Sequence, residues 1–520
     1  MECMRILSFL VLASIFNLQA QTFTSSNLPI IVIDTDGQSI PDDPKVNAHM
    51  GIIYNGAGNR NALANPFNNY NGLIAIELRG NVTQSFPKLS YSVETRDQTE
   101  ADLKVSLLGM PEESDWVLAA AYLDKTFVRD PLAFFMSRSL NRWASRTVHC
   151  ELVLNGVYQG IYIMEEKIKR DKNRVDIAKL TNADNTIPQV TGGFIYEVAQ
   201  SGVDFGQRRR FVEPNWDDVT SQQTAYVKKF DDDFRQVMSG PDFDDPLKGY
   251  PAWIDIDAFI DEILMQEACK NSDAYGWSSY FHKDRSAKLK AGPLWDFDQA
   301  LSNSTFNDGP NSQEWNITKS LSEVPFFWKK LFNEPVFRSQ LSIRWMELRS
   351  DKFKTSRLVN FIDSVATTLD EAQTRNFVKW KTLGVELFRS TPGYEDRTTY
   401  QHEVNYLKTF LTNRLTWMDQ NLSSVLGAEQ GEKIVTDLLN YPNPSTGATT
   451  ISYNLNKAGF VKLTLYDMFG KRLETLVQDR QNPSSYEYEV NTQLLTNGVY
   501  IFRLEVDNGM TASRKMVVVK

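Results

Sequence analysis

The chain has 520 residues, 42% of them hydrophobic and 12% aromatic, which is enough apolar material for more than one packed core and too much for a disordered protein. Its 56 basic and 65 acidic residues leave a net charge of -9, so nothing general in the charge points to nucleic acid or an anionic membrane as a partner. Three cysteines exclude a disulfide-built scaffold, and four scattered histidines without CxxC or HExxH spacing exclude the common zinc patterns, so any metal here is expected on oxygen ligands.

Residues 1–20, MECMRILSFLVLASIFNLQA, read as a signal peptide: a short polar start with Arg5, an apolar run, then Leu18-Gln19-Ala20 before Gln21. No later apolar run reaches about 18 residues, so no transmembrane helix is expected once the signal is cleaved. Cys3 goes with the signal. Cys150 and Cys269 are read as two buried thiols rather than as a disulfide, because their positions in the chain give no reason for their Cα atoms to meet.

LPIIVIDT predicts a strand ending at the turn signal Asp36-Gly37, and LIAIELR at 73–79 predicts a second. The loop GNVTQSFPK follows. LSYSVET then sets Leu89, Tyr91 and Val93 on one face, with Lys88 at the far side of the loop. A helix is expected from Phe127 to Trp143, with Asp130 ahead of Pro131 as its cap. ELVLNGVYQGIYIMEEK contains Asn155-Gly156, the dipeptide best suited to a tight hairpin, so two antiparallel strands should end near Glu165 and Glu166.

GGFIYEV, residues 192–198, predicts another strand, and residues 203–250 show no clear period. WIDIDAFIDEILMQEACKN predicts a helix capped by Asp255 or Asp257 and ending near Asn271, just before Asp273. SSYFHKD and KLKAGPLWDFD predict a hairpin that ends at Asp296 and Asp298, and several amphipathic helices follow to about residue 424. After the linker at 426–436, short alternating runs over 437–520 have the pattern of a small β-sandwich.

Two aspartates flanking Phe297 raise the question of metal binding. A hard divalent cation such as magnesium takes one or two carboxylates, with water and substrate phosphate completing the shell. Asp296 and Asp298 alternate along an extended segment, so they share a site only if a turn or bulge intervenes. Asp273 can reach the same cleft across the hairpin. Phosphoryl transfer also needs a cation and a loop over the phosphates, for which Lys88, Arg79 and Gly80 are the candidates, with Glu166 as a residue that could orient Lys88. Each has a simpler reading as a cap, a turn residue or a solvated strand end. NGAGNRN at 55–61 carries Asn61 where a nucleotide fingerprint needs glycine and is read as a surface loop. Glycoside hydrolysis by paired carboxylates is a further reading, but it leaves Lys88 and the loop without a role.

In this order, RGNVTQSFPKLSY, LNGVYQGIYIMEEKI, NSDAYGWSSYFHKD and GPLWDFDQAL resemble the CotH family, the spore-coat-H-like atypical protein kinases, over residues 28–425. The resemblance implies an α+β, divergent protein-kinase-like domain that uses ATP and Mg2+ to phosphorylate serine or threonine of secreted or surface proteins. It implies Asp273 as the catalytic aspartate, Asp296 as the metal ligand with Asp298 beside it, Lys88 on the phosphates, and Arg79, Gly80 and Glu166 as residues shaping the nucleotide site. Ser278 stands where a typical protein kinase has asparagine, and the Phe127–Trp143 segment has no glutamate for a lysine–helix ion pair. A catalytically silent surface protein on the same scaffold is the alternative. YPNPSTGATTISYNL, VKLTLYDMFGKRL, LLTNGVYIFRLE and KMVVVK resemble the sorting domain of the type IX secretion system. That likeness implies this machinery as a partner and passage through the periplasm to the outer-membrane surface or beyond.

Overall fold

Short runs rich in β-branched and aromatic residues in the first two hundred positions produce a barrel. The computed structural model describes residues 23–199, 208–319, 325–423, 435–468, 471–506 and 510–520; the signal peptide expected at 1–20 and residues 426–434 of the expected linker lie outside these. Seven strands close on themselves: β1 (Ile30–Asp34), β2 (Val46–Ile53), β3 (Tyr70–Arg79), β4 (Ser90–Arg96), β5 (Asp115–Ala119), β6 (Thr147–Leu154) and β7 (Val157–Glu166), in the order β1-β2-β3-β4-β5-β7-β6. The closing pair, β1 with β6, is parallel with Ile30 opposite Glu151; every other pair is antiparallel. Inside the barrel lie Ile31, Met50, Ile76, Trp116, Tyr162 and Met164. Ile161 and Ile163 of β7 face outward into a second, larger core shared with the helices, the period-2 consequence of strand geometry.

The Asn155-Gly156 hairpin forms as expected, with φ of 49° and 74° at the two turn residues. The helix expected from Phe127 is α1 (Arg129–Ser139), but Asp130 is not its cap. Asp124 accepts from the backbone N–H of Val128 at 3.0 Å and of Arg129 at 2.9 Å, so the cap comes from upstream and Asp130 is left to point elsewhere.

Beyond the barrel, Arg209–Glu213, Phe194–Val198, Ser279–Lys283 and Lys290–Ala291 form a four-stranded antiparallel sheet in that order. The expected hairpin before Asp296 is the last pair of this sheet. The stretch without period contains α2 (Ser221–Ser239), which starts in a Thr220/Gln223 capping box. Its Lys228–Asp232 and Lys229–Asp233 pairs are exposed, and its buried apolar residues are few, which masked the helical repeat. The helix at Ile256–Ala268 is capped by Asp255, whose Oδ1 accepts from Ala258 N at 2.9 Å. Cys150 and Cys269 are both buried free thiols.

Helices run from Phe326 to Ser423, and the helix Thr355–Lys379 lies against β7. Gly160 permits that approach: its φ is +94°, and a Cβ there would stand 2.4 Å from Asn376 Oδ1. Among the described residues no helix is long and apolar enough to cross a membrane. The C-terminal strands make two antiparallel sheets, one of three and one of four strands. Ile451, Tyr453, Leu463, Phe502 and Met516 share one apolar core there.

Candidate active site

The chain leaves Lys290–Ala291 and turns sharply at Asp296, whose φ is +65°. A left-handed conformation at a non-glycine residue is the turn that two alternating aspartates require before they can share a site. Ser278, itself at φ +48°, donates its hydroxyl to Asp296 Oδ2 at 3.0 Å. The backbone N–H of Phe297 donates to Asp130 Oδ1 at 2.6 Å, so the first turn of α1 is fastened to the same segment. Asp273 lies just beyond the helix Ile256–Ala268. Its carbonyl accepts from Gly276 N at 3.2 Å and Trp277 N at 3.1 Å, a turn that fixes the residue below Trp277.

These elements bring Asp130, Glu165, Asp273, Asp296 and Asp298 within electrostatic reach of one another. Burial pushes the Asp273 carboxyl up to about 7; the charge of Asp296 adds to this, and that of Arg389 opposes it. Burial pushes Glu165 up to about 8, with Arg79 opposing and Asp296 and Asp298 reinforcing. Asp296 is raised by burial, against its Ser278 hydrogen bond and the charge of Arg79. Asp298 and Asp130 are raised well above the ordinary carboxylate range, first by burial and then by their acidic neighbours.

Arg79 is thus the cation on the Glu165 and Asp296 side of this acidic cluster. Its guanidinium lies 5.3 Å from the centre of the Trp295 ring. Gly80 follows at φ +101°, where a Cβ would stand 1.8 Å from Thr83 Oγ1, so the loop can double back over Arg79 only with glycine at this position.

The donor set suits a hard divalent cation. Asp273 Oδ1 and Glu165 Oε1 are buried and have no hydrogen-bond partner, a costly state for carboxylates unless a ligand completes it. Among the described residues no three Asp, Glu, His or Cys side chains converge into an all-protein metal cage. Magnesium takes one or two carboxylates and completes its shell from water and phosphate, so it does not require such a cage.

Two residues expected here lie elsewhere. The Lys88 ammonium is buried, donates to the Ile161 carbonyl and to Asn376 Oδ1 at 3.3 Å, and sits over the rings of Phe127 and Tyr162. No carboxylate is among the charges acting on it, and burial drives its pKa well down. The cause is topological: β5 pairs with β7 only from Ile163 onward, so the backbone of Ile161 has no strand partner on that side. Lys88 takes its carbonyl, and Asn376 takes its N–H at 3.2 Å. Four residues of strand, about 13 Å, then separate Ile161 from Glu165. Glu166 is likewise turned away from Lys88. It is bidentate with Arg146, at 2.8 and 3.0 Å, on the opposite face of β7 from Glu165.

Lys88→Met is therefore expected to leave the affinity for magnesium–nucleotide within about twofold of wild type, because it removes a buried cation remote from the acidic cleft. A tenfold loss in a calorimetric titration would restore Lys88 to the phosphates. The residues missed in the sequence are Glu165, Asp130 and Arg389. Parity could have found the first: Glu165 continues the outward series Ile161, Ile163, whereas Glu166 continues the inward series Tyr162, Met164.

The family model described as CotH kinase protein matches residues 76–418. The model described as secretion system C-terminal sorting domain matches residues 440–519. No curated protein matches the chain. Among solved structures, dimeric latent PorU from Porphyromonas gingivalis is similar at 22% identity with a TM-score of 0.15, over 17% of this chain and 10% of that one. That alignment is too short and too loose to carry an argument about fold. The match over 76–418 takes in Arg79, Glu165, Asp273 and Asp296 together, and the chain belongs to the CotH kinase protein family.

Proposed function

We propose that this secreted CotH-family protein is a phosphotransferase that moves the γ-phosphoryl group of ATP to serine or threonine hydroxyls of secreted or surface proteins. The reading treats residues 28–425 as a divergent kinase-like domain, with the seven-stranded barrel in the place of a nucleotide lobe, and residues 437–520 as a sorting β-sandwich. The observation that carries it is the grouping of Asp273, Asp296, Glu165 and Arg79 in one electrostatic cluster, with two buried carboxylate oxygens that lack any partner. Asp273 is assigned to the acceptor hydroxyl, as a base whose pKa near 7 suits proton abstraction at neutral pH. Asp296, with Asp298 beside it, would hold Mg2+, which supplies charge neutralisation on the phosphates. Arg79 takes the phosphate-contacting role first expected of Lys88, and Glu165 orients Arg79.

Purified protein incubated with labelled ATP, Mg2+ and the envelope proteins of a type IX-secreting bacterium is expected to transfer label to serine or threonine. Nucleotide binding without transfer would favour the silent-scaffold alternative. The sorting domain makes the type IX machinery a partner and directs the chain to the cell surface or outside. Deleting residues 437–520 is accordingly expected to keep the remainder inside the cell envelope, as fractionation and immunoblotting would detect. Undiminished surface display of the truncated chain would oppose this.

A further inference from the structure

Arg389 differs from the other arginines around the helical core. Arg129, Arg397 and Arg414 each pair with a buried acid, namely Asp124, Glu403 and Glu267. Among the described residues Arg389 makes no ion pair, and its guanidinium hydrogen-bonds to no side chain or carbonyl. Instead its guanidinium carbon lies over aromatic rings, 4.2 Å from the centre of Phe306 and 4.7 Å from that of Phe388. Its backbone is held at φ +57°, and its carbonyl accepts from Thr305 N at 2.9 Å. A non-glycine residue in this conformation, pinned by a neighbouring loop, presents its side chain in one direction at some cost in strain.

That direction is toward Asp273. Phe306 stacks on Trp277 with ring centres 5.3 Å apart and planes 7° apart, and Trp277 N donates to the Asp273 carbonyl. On the other side Phe388, 40% exposed, approaches Phe86 of the Gly80–Lys88 loop at 6.0 Å. An aromatic shelf therefore runs from the loop to the base; Arg208 lies over its Trp277 end at 6.0 Å, and Arg389, with its donors unspent, lies over its middle. Arg79 already serves the opposite side, beside Glu165 and Asp296, whereas the charge of Arg389 reaches Asp273.

We propose that Arg389 and its aromatic shelf form an acceptor-peptide subsite, in which the guanidinium binds an acidic side chain lying next to the serine or threonine presented to Asp273. The inference rests on Asp273 being the residue that meets the acceptor hydroxyl. A guanidinium held against aromatic rings by cation–π attraction can still direct its N–H groups to a carboxylate.

The test is fluorescence anisotropy with two labelled peptides, one with aspartates flanking a central serine and the other with asparagines in their place. Wild type is expected to bind the aspartate peptide about tenfold more tightly, the worth of one charge-assisted contact. Arg389→Gln should erase the preference, and Arg389→Lys should retain part of it, each with an unchanged thermal melt. Equal binding of the two peptides by wild type, or binding of neither at millimolar concentration, overturns the subsite. So does a preference that survives in Arg389→Gln. Because binding needs no nucleotide, loss of phosphotransfer with the charge preference intact would reject the proposed function alone. Transfer that is indifferent to peptide charge would reject only this subsite.

Discussion

Replacing Asp273 by asparagine is expected to lower phosphoryl transfer by about 10²- to 10⁴-fold, the usual worth of a positioned general base. The substitution keeps size and the turn at 273–277, whose hydrogen bonds use the backbone. It removes the one buried carboxylate whose pKa near 7 and partnerless Oδ1 leave it available to an acceptor hydroxyl. Magnesium–nucleotide affinity should change little, since Asp296 and Arg79 are untouched. Undiminished labelling of substrate by Asp273→Asn would assign the base elsewhere, and loss of nucleotide binding along with transfer would mean that Asp273 is itself a metal ligand.

A second large effect is expected on stability. Asp273 is raised from 3.8 to about 7 and Glu165 from 4.5 to about 8. Between about pH 4 and pH 8 the folded chain thus holds protons that the unfolded chain has released, so these groups favour folding at low pH and that contribution is lost as pH rises through the folded values. A divalent cation on Asp296 and Asp298 opposes the trend, because those carboxylates are raised as well and it binds their ionised forms, and its charge relieves their effect on Asp273 and Glu165. Millimolar Mg2+ should raise the Tm by several degrees at pH 8 and by little at pH 5. Glu165→Gln should flatten the pH dependence without magnesium. Equal magnesium shifts at the two pH values would mean that the carboxylates are not the site.

The legible parts of the site were those written in local chemistry. Asn155-Gly156 could hardly be anything but a hairpin, the helix 256–268 followed from its cap and apolar series, and the turn needed between Asp296 and Asp298 was foreseeable from strand geometry. What could not be read was which way a side chain faces once distant elements meet. Glu165 and Glu166 are adjacent and chemically alike, and only the inward or outward parity of β7 separates a cleft residue from a barrel-side ion pair. Lys88 looked like a phosphate ligand because its loop position was right. Its ammonium instead satisfies a carbonyl left open where β5 stops, which is a feature of sheet register. Asp130 looked like a helix cap because it precedes proline, but Asp124 takes that role.

The central claim is that the acidic cleft around Arg79 holds a magnesium–triphosphate. Its most direct test is isothermal titration of the full chain with a non-hydrolysable ATP analogue in the presence of Mg2+, set beside Asp296→Asn. Wild type should bind with a single site and depend on magnesium, and the variant should bind at least about tenfold more weakly. Equal affinity in the two proteins, or no heat in either at millimolar nucleotide, would contradict the account.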